Sequence, residues 1–282
     1  MLEDITLSFI GSGMMAEAMI AGLLNQNLIT AERIIAADPL PERGEYLTGR
    51  YGVRWTPDNE EAAEKGQIVV LSVKPQVLKL VVPQVRGHLR RQDLGFSIIA
   101  GAPLRLLADG TAHASFVRAM PNTPGQIGQG ITVWTATPEV NPTHLEQAGA
   151  ILSALGEEVF VEDESYLDMA TALSGTGPAY IFLFMEAMID AGVHMGFSRR
   201  VATQLVMQTM AGAVAYARQS DRHVAELRNQ VTSPGGTSAE AIYQLEKGGF
   251  RTVVSRAVWA AYQRSVALGS GKRRENVPGN DA

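Results

Sequence analysis

The chain has 282 residues, of which 46% are apolar and 19% charged, and its formal net charge is −5. That length allows one large domain or two of ordinary size. The acidic balance argues against nonspecific binding to nucleic acid, which requires a concentrated basic surface. The sequence has no cysteine, so thiol nucleophiles, disulfides and cysteine-based zinc sites are excluded, and its histidines are too scattered to indicate a metal site.

The beginning of the sequence bears on where the protein works. It reads Met-Leu-Glu-Asp, without the basic region of a secretory signal, and no apolar stretch reaches the roughly 18 residues of a membrane span. These features predict a cytoplasmic protein that binds neither membranes nor nucleic acid.

The first half of the chain alternates short β-branched runs with helical patterns, which is typical of a parallel sheet. Met14–Asn25 repeats apolar residues at helical spacing and predicts a helix with one buried stripe. Helices at 75–85 and 142–155 are predicted to begin at a proline. The predicted strands are 5–10, 33–37, 68–72, 96–100, 115–119, 131–135 and 158–161.

Beyond the acidic stretch 162–164 the pattern becomes helical throughout. The predicted helices are 180–194, 199–218, 223–231, 238–246 and 250–268. The first of them is apolar nearly all round and must be covered on every face, so we expect a second subunit to complete this core. The sequence therefore predicts an α/β domain at 1–164, an all-α dimerisation and substrate domain at 165–268, and a disordered polar tail at 269–282.

A glycine-rich turn follows the first predicted strand. Gly11, Gly13 and Ala16 match G-x-G-x-x-G/A between a strand and a helix, which is the context of the dinucleotide-binding fingerprint. Gly11 permits a tight turn, Gly13 lets the backbone approach a pyrophosphate, and Ala16 allows close packing of helix on strand. The first domain is therefore predicted to be a Rossmann-type, doubly wound parallel sheet that binds NADPH or NADH.

Three polar positions bear on the cofactor, and each has an alternative interpretation. Asp38 ends the second strand, where a carboxylate typically binds the adenosine ribose and repels a 2′-phosphate, which favours NAD; a turn before Pro39 is the alternative. Arg43 could instead meet a 2′-phosphate, which leaves the choice between NADH and NADPH open. Lys74 follows the strand 68–72, where it could lie over the cofactor or be a plain surface lysine.

Three further segments are hard to explain as scaffold alone. They are Arg-Ala-Met-Pro-Asn-Thr-Pro at 118–124, Thr-Ala-Leu-Ser-Gly-Thr-Gly-Pro-Ala-Tyr at 171–180, and Val-Thr-Ser-Pro-Gly-Gly-Thr-Ser at 231–238. With residues 11–16 and 73–75, in this order and spacing, they closely resemble the pyrroline-5-carboxylate reductase family, from residue 6 to about 268. The resemblance implies a Rossmann domain followed by a helical dimerisation domain. It also implies reduction of 1-pyrroline-5-carboxylate to L-proline with NADPH or NADH, and dimers that often form a decamer.

The resemblance also implies roles for individual residues. Those lining the cofactor would be Ile10, Gly11, Ser12, Gly13, Met14, Met15, Ala16, Asp38, Asn59, Ser72, Val73, Lys74, Pro75, Ile98, Ile99 and Ala100. Those at or near the substrate or nicotinamide would be Asp221, Gln230, Ser233, Gly236, Thr237 and Ser238. Thr171 matches a threonine proposed as proton donor in the family. The chain departs from the family at Asp38, where many members carry serine or another residue, and at Ser238, where threonine is more usual.

A substrate with a carboxylate and a C=N bond makes two demands on the residues. The carboxylate needs donors, and Thr237 with Glu240 predicts a capping box at a helix start where the preceding glycines leave the main chain open; a plain turn is the alternative. The developing amine needs a proton. Because such imines are protonated near neutral pH, a hydroxyl such as Thr171 suffices, unless Thr171 is only a helix N-cap.

Two rival functions fit part of the pattern. A β-hydroxyacid dehydrogenase shares the glycine loop, a helical second domain and a catalytic lysine, but it lacks Ser-Pro-Gly-Gly before a helix. A dinucleotide-sensing regulatory protein without turnover would keep the fold, although it would have no need of Thr171, Lys74 and an anion pocket.

Overall fold

A computed structural model describes residues 2–269. The chain forms two compact units, one comprising the residues up to Thr176 with the stretch from Ala261 on, and the other Gly177–Ala260. The predicted domain boundary after residue 164 stays a prediction. The tail predicted at 269–282 lies outside the described residues except for Gly269, which ends a helix.

The first unit is built on one sheet with the strand order β3-β2-β1-β4-β5-β6-β7-β8. Its strands are β1 Leu7–Ile10, β2 Ile34–Ala37, β3 Arg54–Thr56, β4 Ile68–Leu71, β5 Leu94–Ser97, β6 Phe116–Met120, β7 Gly130–Ala136 and β8 Gly156–Phe160. The chain runs outward from β1 to β3 and then returns to place β4 on the other side of β1. Dinucleotides bind at such a switch point, outside the carboxyl ends of the strands.

The sheet is parallel from β3 to β6, as predicted, but β7 is antiparallel to β6. The predicted parallel sheet is thus confirmed for most of its strands, and this pair is the exception. A parallel crossover needs a dozen or more residues, and the connection 121–129 is shorter and holds only a 3₁₀ turn, Thr123–Ile127. The strand β8 then pairs parallel with β7.

The central strands are buried on both faces, which explains why they read as continuous apolar runs. Alternate residues feed two separate cores. Leu7 and Phe9 of β1 belong to one cluster, whereas Ile10 joins Val69 and Leu71 in the other. Helices must therefore cover both sides of the sheet, as in a doubly wound fold.

Seven helices belong to the described part of the first unit alone. They are α1 Met14–Asn25, α2 Pro41–Tyr51, α3 Asn59–Lys65, α4 Leu78–Val85, α5 Leu104–Thr111, α6 Pro142–Ser153 and α7 Tyr166–Ala170. A π-helical turn, Thr171–Gly175, follows α7 directly. The sequence predicted α1, α6 and α4, the last with the 3₁₀ turn Pro75–Val77 included, but it missed the other four helices and the edge strand β3.

The second unit is helical throughout, as predicted. It contains α8 Gly177–His194, α9 Arg199–Arg218, α10 Val224–Gln230, α11 Thr237–Lys247 and the start of α12 Phe250–Gly269, whose end belongs to the first unit. Its apolar surface is poorly covered. Phe182 and Leu183 of α8 are 61% and 67% exposed, and Gly192 is the buried residue of that helix.

One helical run, Tyr166–His194, is long and apolar enough to cross a membrane by length and composition. The sequence-based expectation that no segment reaches that length was wrong, because α7, the π-turn and α8 join without a break. Core helices of water-soluble proteins pass the same test, so the run is weak evidence for a membrane span.

Candidate active site

The glycine turn between β1 and α1 forms an open cradle. Gly11 has φ +88°, and a Cβ built on it would lie 2.5 Å from Cγ1 of Val73, so only glycine fits between the two strand ends. Gly13 is the N-cap of α1 and has no side chain to cap the helix. A Cβ on Gly13 would meet nothing within 4 Å, which leaves its backbone open to a ligand.

The first turn of α1 supplies the donors of this cradle. Within residues 2–269, no hydrogen-bond acceptor is recorded for the backbone N–H groups of Met14 and Met15, whereas Glu17 N–H already bonds to the carbonyl of Gly13. Free N–H groups and the partial positive charge of a helix N-terminus suit a phosphate. Ala16 is buried against the sheet, as its predicted role requires. The residues present therefore fit a dinucleotide pyrophosphate.

Two serines hold the cradle in shape. Ser12 is fully buried, and its hydroxyl donates to the carbonyl of Ala37 at 3.1 Å. The hydroxyl of Ser72 donates to the carbonyl of Gly11 at 2.6 Å. Both side chains bind the main chain of neighbouring segments, so their contribution to the site is to fix the path of the loop.

The contacts of Asp38 agree in part with both interpretations, a turn before Pro39 and a carboxylate at the ribose site. One carboxylate oxygen accepts the N–H of Leu40 at 3.1 Å, which is the turn expected of aspartate before proline. The other accepts the N–H of Ser12 at 3.1 Å, so the carboxylate also ties the end of β2 to the glycine loop. The side chain is half-buried at the switch point, where the adenosine ribose lies in this fold.

Arg43 lies against the same loop but is already engaged. Its Nε donates to the carbonyl of Ser12 at 2.6 Å, and its Nη2 pairs with Glu17 at 2.6 Å. Burial raises the pKa of Glu17, but hydrogen bonds from Arg43, Tyr51 and Tyr46 outweigh it and hold that pKa below the usual range. Glu17 is therefore a charged partner of Arg43 near neutral pH.

The remaining predicted cofactor residues follow β4 and β5 or begin α3. Lys74 is exposed and makes no recorded side-chain contact in the described chain, and Pro75 begins a 3₁₀ turn. The Nδ2 of Asn59 donates to Gln84 at 2.7 Å. Ile98, Ile99 and Ala100 were predicted as the end of a strand, but β5 ends at Ser97 and they form a loop after it. This loop leaves β5 at the edge of the sheet that carries the glycine turn.

The segments 118–124 and 171–180, distant in sequence, meet in the first unit. The Nδ2 of Asn122 donates to the carbonyl of Ser174 at 3.2 Å, while its Oδ1 accepts the N–H of Ile131. Met120 packs under Gly175, where an added Cβ would lie 2.6 Å from its Cε. The first segment therefore supports the π-turn of the second.

A buried arginine anchors the same region. Arg118 is 4% exposed and pairs with Glu164 at 2.7 Å and with Asp168 at 3.8 Å. Glu164 also accepts the N–H of Leu104 at the start of α5, and Asp168 accepts the hydroxyl of Ser265 from α12. These contacts join β6, α5, α7 and the end of α12.

Thr171 is not the N-cap that one interpretation proposed. It begins the π-turn directly after α7, and its hydroxyl donates to the carbonyl of Leu167 at 2.7 Å. Its own carbonyl accepts both the N–H and the hydroxyl of Thr176. Single π-turns inside helices occur frequently at functional sites.

The predicted anion turn lies in the second unit at the start of α11. The capping box predicted for Thr237 is wrong, because Gly236 is the N-cap and Thr237 is the first helical residue, with no side-chain cap. Gly236 N–H bonds to Ser233 and Ala239 N–H to Gly236, whereas no acceptor is recorded in the described chain for the N–H groups of Thr237 and Ser238. Two main-chain donors are thus left for an anion.

The other predicted substrate residues lie in the same unit. Asp221, Gln230 and Ser233 are exposed. Gly235 has φ +70°, and a Cβ on Gly236 would lie 2.7 Å from the hydroxyl oxygen of Ser233. Both glycines are thus required by the turn itself. Among the described residues, no group of three or more histidine and acidic side chains is placed to hold a metal ion.

A cavity of about 490 Å³ lies away from these groups, with Gln67, Arg90, Asn141 and His144 in its lining. Gln67 and Arg90 precede β4 and β5, so the cavity is at the amino ends of the parallel strands. Open α/β sheets bind ligands at the other edge. The cavity is therefore not a candidate active site.

Two family models match the chain. The model for pyrroline-5-carboxylate reductase dimerisation matches residues 164–268, and the model for NADP oxidoreductase, coenzyme F420-dependent, matches residues 6–101. The chain is 42% identical to pyrroline-5-carboxylate reductase from Synechocystis sp., covering 94% of this chain and 99% of the relative. The chain belongs to the pyrroline-5-carboxylate reductase family.

Other relatives and solved structures agree with membership of this family. Pyrroline-5-carboxylate reductase from Pseudomonas aeruginosa is 41% identical over 93% of this chain and 96% of its own length. The NADP-bound structure of the Plasmodium falciparum enzyme superimposes with a TM-score of 0.87 at 34% identity, covering 95% of this chain and 99% of that one. The family resemblance read from the motifs is therefore confirmed.

Four functional candidates were missed as such by sequence reasoning: Glu17, Asn122, Glu164 and Asp168. Each acts through a contact with a residue far away in the chain, which no local pattern reports. Arg118 carried a signal, because a lone arginine within the apolar strand β6 requires an acidic partner when it is buried. The acidic residues at 162–164 were interpreted only as a boundary, and Glu164 is that partner.

Proposed function

We propose that this protein is a pyrroline-5-carboxylate reductase that reduces the C=N bond of 1-pyrroline-5-carboxylate to give L-proline, the last step of proline biosynthesis. The observation that carries the proposal is the presence, in a chain of this family, of an open glycine cradle after β1 and a bare main-chain turn before α11. A bound NADPH or NADH supplies the hydride that the imine carbon accepts. The ring nitrogen then holds its proton as an amine.

The cofactor is held mainly by the first unit in this proposal. The N–H groups of Met14 and Met15 would bind the pyrophosphate, and the bonds of Ser12 and Ser72 keep the cradle in that shape. The residues Ile98–Ala100 and Lys74 would line the same edge. A cradle that is already formed loses little conformational entropy on binding.

The substrate carboxylate is held by the N–H groups of Thr237 and Ser238 in this proposal. The N-terminus of α11 adds partial positive charge, and no arginine lies between residues 231 and 238. Asp221, Gln230 and Ser233 would complete the pocket. Main-chain donors at a glycine turn are fixed before the ligand arrives, which favours a small rigid anion.

Thr171 is proposed to orient the imine. Its hydroxyl hydrogen is donated to the carbonyl of Leu167, so the hydroxyl oxygen still has lone pairs that can accept a hydrogen bond. An acceptor suits the N–H of an imine that is already protonated. To donate, the hydroxyl would first have to leave Leu167. We therefore assign Thr171 to holding the protonated imine rather than to strong acid catalysis.

The carboxylate of Asp38 at the end of β2 supports good use of NADH alongside NADPH. The test is the ratio of kcat/KM for the two cofactors, with Asp38→Ser as the variant. A preference for NADPH above about tenfold that the substitution leaves unchanged would contradict this role. Because Asp38 also holds Ser12, a general loss of affinity for both cofactors is expected in the variant.

The second unit is proposed to form a homodimer, with a decamer as the larger assembly. The matched dimerisation model and the exposed apolar face of α8 support a partner of the same kind. In such a dimer the partner would cover this face without a membrane, and we propose a cytoplasmic enzyme on that basis. The net charge of −5 supports the absence of a nucleic-acid partner.

The deciding experiment mixes the protein with NADPH or NADH and 1-pyrroline-5-carboxylate and follows the nicotinamide absorbance. Turnover is expected with this substrate and not with β-hydroxyacids; a protein that binds the cofactor but never turns over would be a sensor. Unsubstituted 1-pyrroline, which lacks the carboxylate, tests the anion turn. If it is reduced as efficiently as the acid, the turn before α11 binds no carboxylate.

A further inference from the structure

Arg43 is held on the glycine loop by more than one contact. From α2, its Nε donates to the carbonyl of Ser12 at 2.6 Å and its Nη2 approaches the carbonyl of Gly13 at 3.4 Å. The guanidinium also lies 5.2 Å from the ring centroid of Tyr46. The side chain is therefore packed against the loop rather than extended into solvent.

Glu17 of α1 completes this arrangement. One of its carboxylate oxygens pairs with Nη2 of Arg43 at 2.6 Å, and the other accepts the hydroxyls of Tyr46 at 3.0 Å and Tyr51 at 2.9 Å. The side chains of Arg43 and Glu17 are only 23% and 20% exposed, so solvent screens their attraction less than at an open surface.

The position of the Arg43–Glu17 pair bears on how a 2′-phosphate of the cofactor can bind. An arginine close to the end of β2 is the usual partner of the 2′-phosphate that distinguishes NADPH from NADH. Here the carboxylate of Glu17 takes the place of that phosphate on Arg43. A 2′-phosphate must either displace Glu17 or share a guanidinium whose charge Glu17 has already offset.

We propose that Glu17 is a specificity-determining residue that lowers the affinity for a 2′-phosphorylated cofactor by competing for Arg43. The proposal rests on the cofactor site of the proposed function, because it needs the adenosine at the end of β2. It assigns the discrimination to a residue of α1 that lies outside the segment after β2. Glu17 acts through Arg43 and is not itself expected to touch the cofactor.

The test compares wild-type protein with Glu17→Gln, which keeps the shape and can still accept hydrogen bonds from the tyrosines. Binding of 5′-AMP and of 2′,5′-ADP is measured by calorimetry on the full chain, and kcat/KM is measured with NADH and NADPH. The association constants are expressed as the ratio of 2′,5′-ADP to 5′-AMP. The values of kcat/KM are expressed as the ratio of NADPH to NADH. Ratios do not depend on the fraction of folded enzyme.

Glu17→Gln is expected to raise both ratios about tenfold in favour of the 2′-phosphorylated ligand, since a charge-assisted hydrogen bond is released. Glu42→Gln is the matched control, because it removes the same charge from an exposed neighbour of Arg43 on α2. Within residues 2–269 the side chain of Glu42 makes no hydrogen bond or ion pair. This control should change the ratios less than twofold. Arg43→Met combined with Glu17→Gln should abolish the gain.

The outcomes separate this proposal from the cofactor site itself. If wild-type protein binds neither nucleotide and turns over neither cofactor, the proposed cofactor site fails and the proposal falls with it. If both bind but Glu17→Gln leaves the ratios unchanged or lowers them, Glu17 does not compete for Arg43 and only this proposal is overturned. An equal gain in Glu42→Gln would show that the effect comes from the change in net charge. That outcome would also overturn the proposal.

Discussion

The two units of this protein differ in how much of their apolar surface is buried within the chain. In the first, Phe9, Phe96 and Phe116 are fully buried in the two cores of the sheet. In the second, Phe182 and Leu183 are mostly exposed, and the buried apolar residues include little more than Ala202 and Val206. One unit holds a core of its own, whereas the other covers little apolar surface, and we expect it to need a partner for stability.

The same contrast extends to the site residues. The glycine cradle of the first unit is held by side chains such as Ser12, Asp38 and Ser72. The anion turn of the second unit consists of main-chain N–H groups without a side-chain cap. The proposed cofactor site is thus pre-organised by its own unit. The substrate side depends on a unit that we expect to be completed by a partner.

The largest expected effect follows from placing a charge on the exposed face of α8. Leu183→Asp should raise the dimer dissociation constant by about a hundredfold or more, because an unpaired carboxylate would be buried in the interface. Sedimentation velocity at decreasing protein concentration measures it. Leu80→Asp on α4, where the leucine is 70% exposed, is the control and should leave the dimer intact. A stable monomer of wild-type protein with full helix content would show that the second unit does not need a partner.

The next effect concerns the self-contained core. Phe96→Ala should lower the free energy of unfolding of the first unit by about 3–5 kcal/mol, since a fully buried ring leaves a cavity. Denaturant unfolding in a Trp259→Phe background, with Trp55 and Trp134 as reporters, measures that unit. The loss should be the same at low and high protein concentration. A loss that disappears as the dimer forms would mean that this core, too, depends on the partner.

A smaller effect tests the bare turn of the second unit. Ser238→Ala should raise the substrate KM by a factor corresponding to about 1 kcal/mol, because the main-chain donors remain. The affinity for the cofactor should not change. Gly236→Val is a poor variant for this purpose, since its side chain would collide with Ser233 within the turn. A hundredfold rise in KM for Ser238→Ala would assign the carboxylate to the hydroxyl instead.

The smallest expected effect depends on pH and belongs to the first unit. The folded-state pKa of Glu17 lies below its unfolded value near 4.5, so its contribution to stability is complete above that value. The contribution is lost as the pH falls through the lower, folded-state pKa. The difference in stability between wild-type protein and Glu17→Gln should therefore be constant at neutral pH and shrink below about pH 4.5. A difference that grows in acid would contradict the Arg43 pair.

Much of the fold was predictable where burial imposes a period on the sequence. The helices α1 and α9 were predicted with the bounds that they have, because each combines an apolar stripe with a clear start. The helix α2 was missed because it buries only Gly44 and Leu47, too few to show a period. The direction of β7 was missed because it depends on how the connection 121–129 packs.

The candidate site was predictable only where local backbone chemistry carries it. The role of Gly11 was predictable because its positive φ and its contact with Val73 require glycine, and Gly13 was recognised from its spacing to Gly11 at the start of a helix. The turn before α11 was recognised, but the N-cap was predicted at Thr237 and lies one residue earlier, at Gly236. The contacts of Glu17 with Arg43 and of Asn122 with Ser174 join residues that are far apart in the chain, so no local sequence pattern predicts them.

The reversal of β7 has a consequence for how the chain tolerates substitution. Strands β1 to β6 point their carboxyl ends at one edge of the sheet, and the connection 121–129 turns back at that same edge. The connection 137–141 then lies at the opposite edge, where β7 ends. In a scan of all single substitutions, activity should be sensitive at 121–125. It should be nearly indifferent at Pro138 and Glu139, which are exposed, whereas Val140 is buried and the hydroxyl of Thr137 binds the main chain of Ala114 and Phe116.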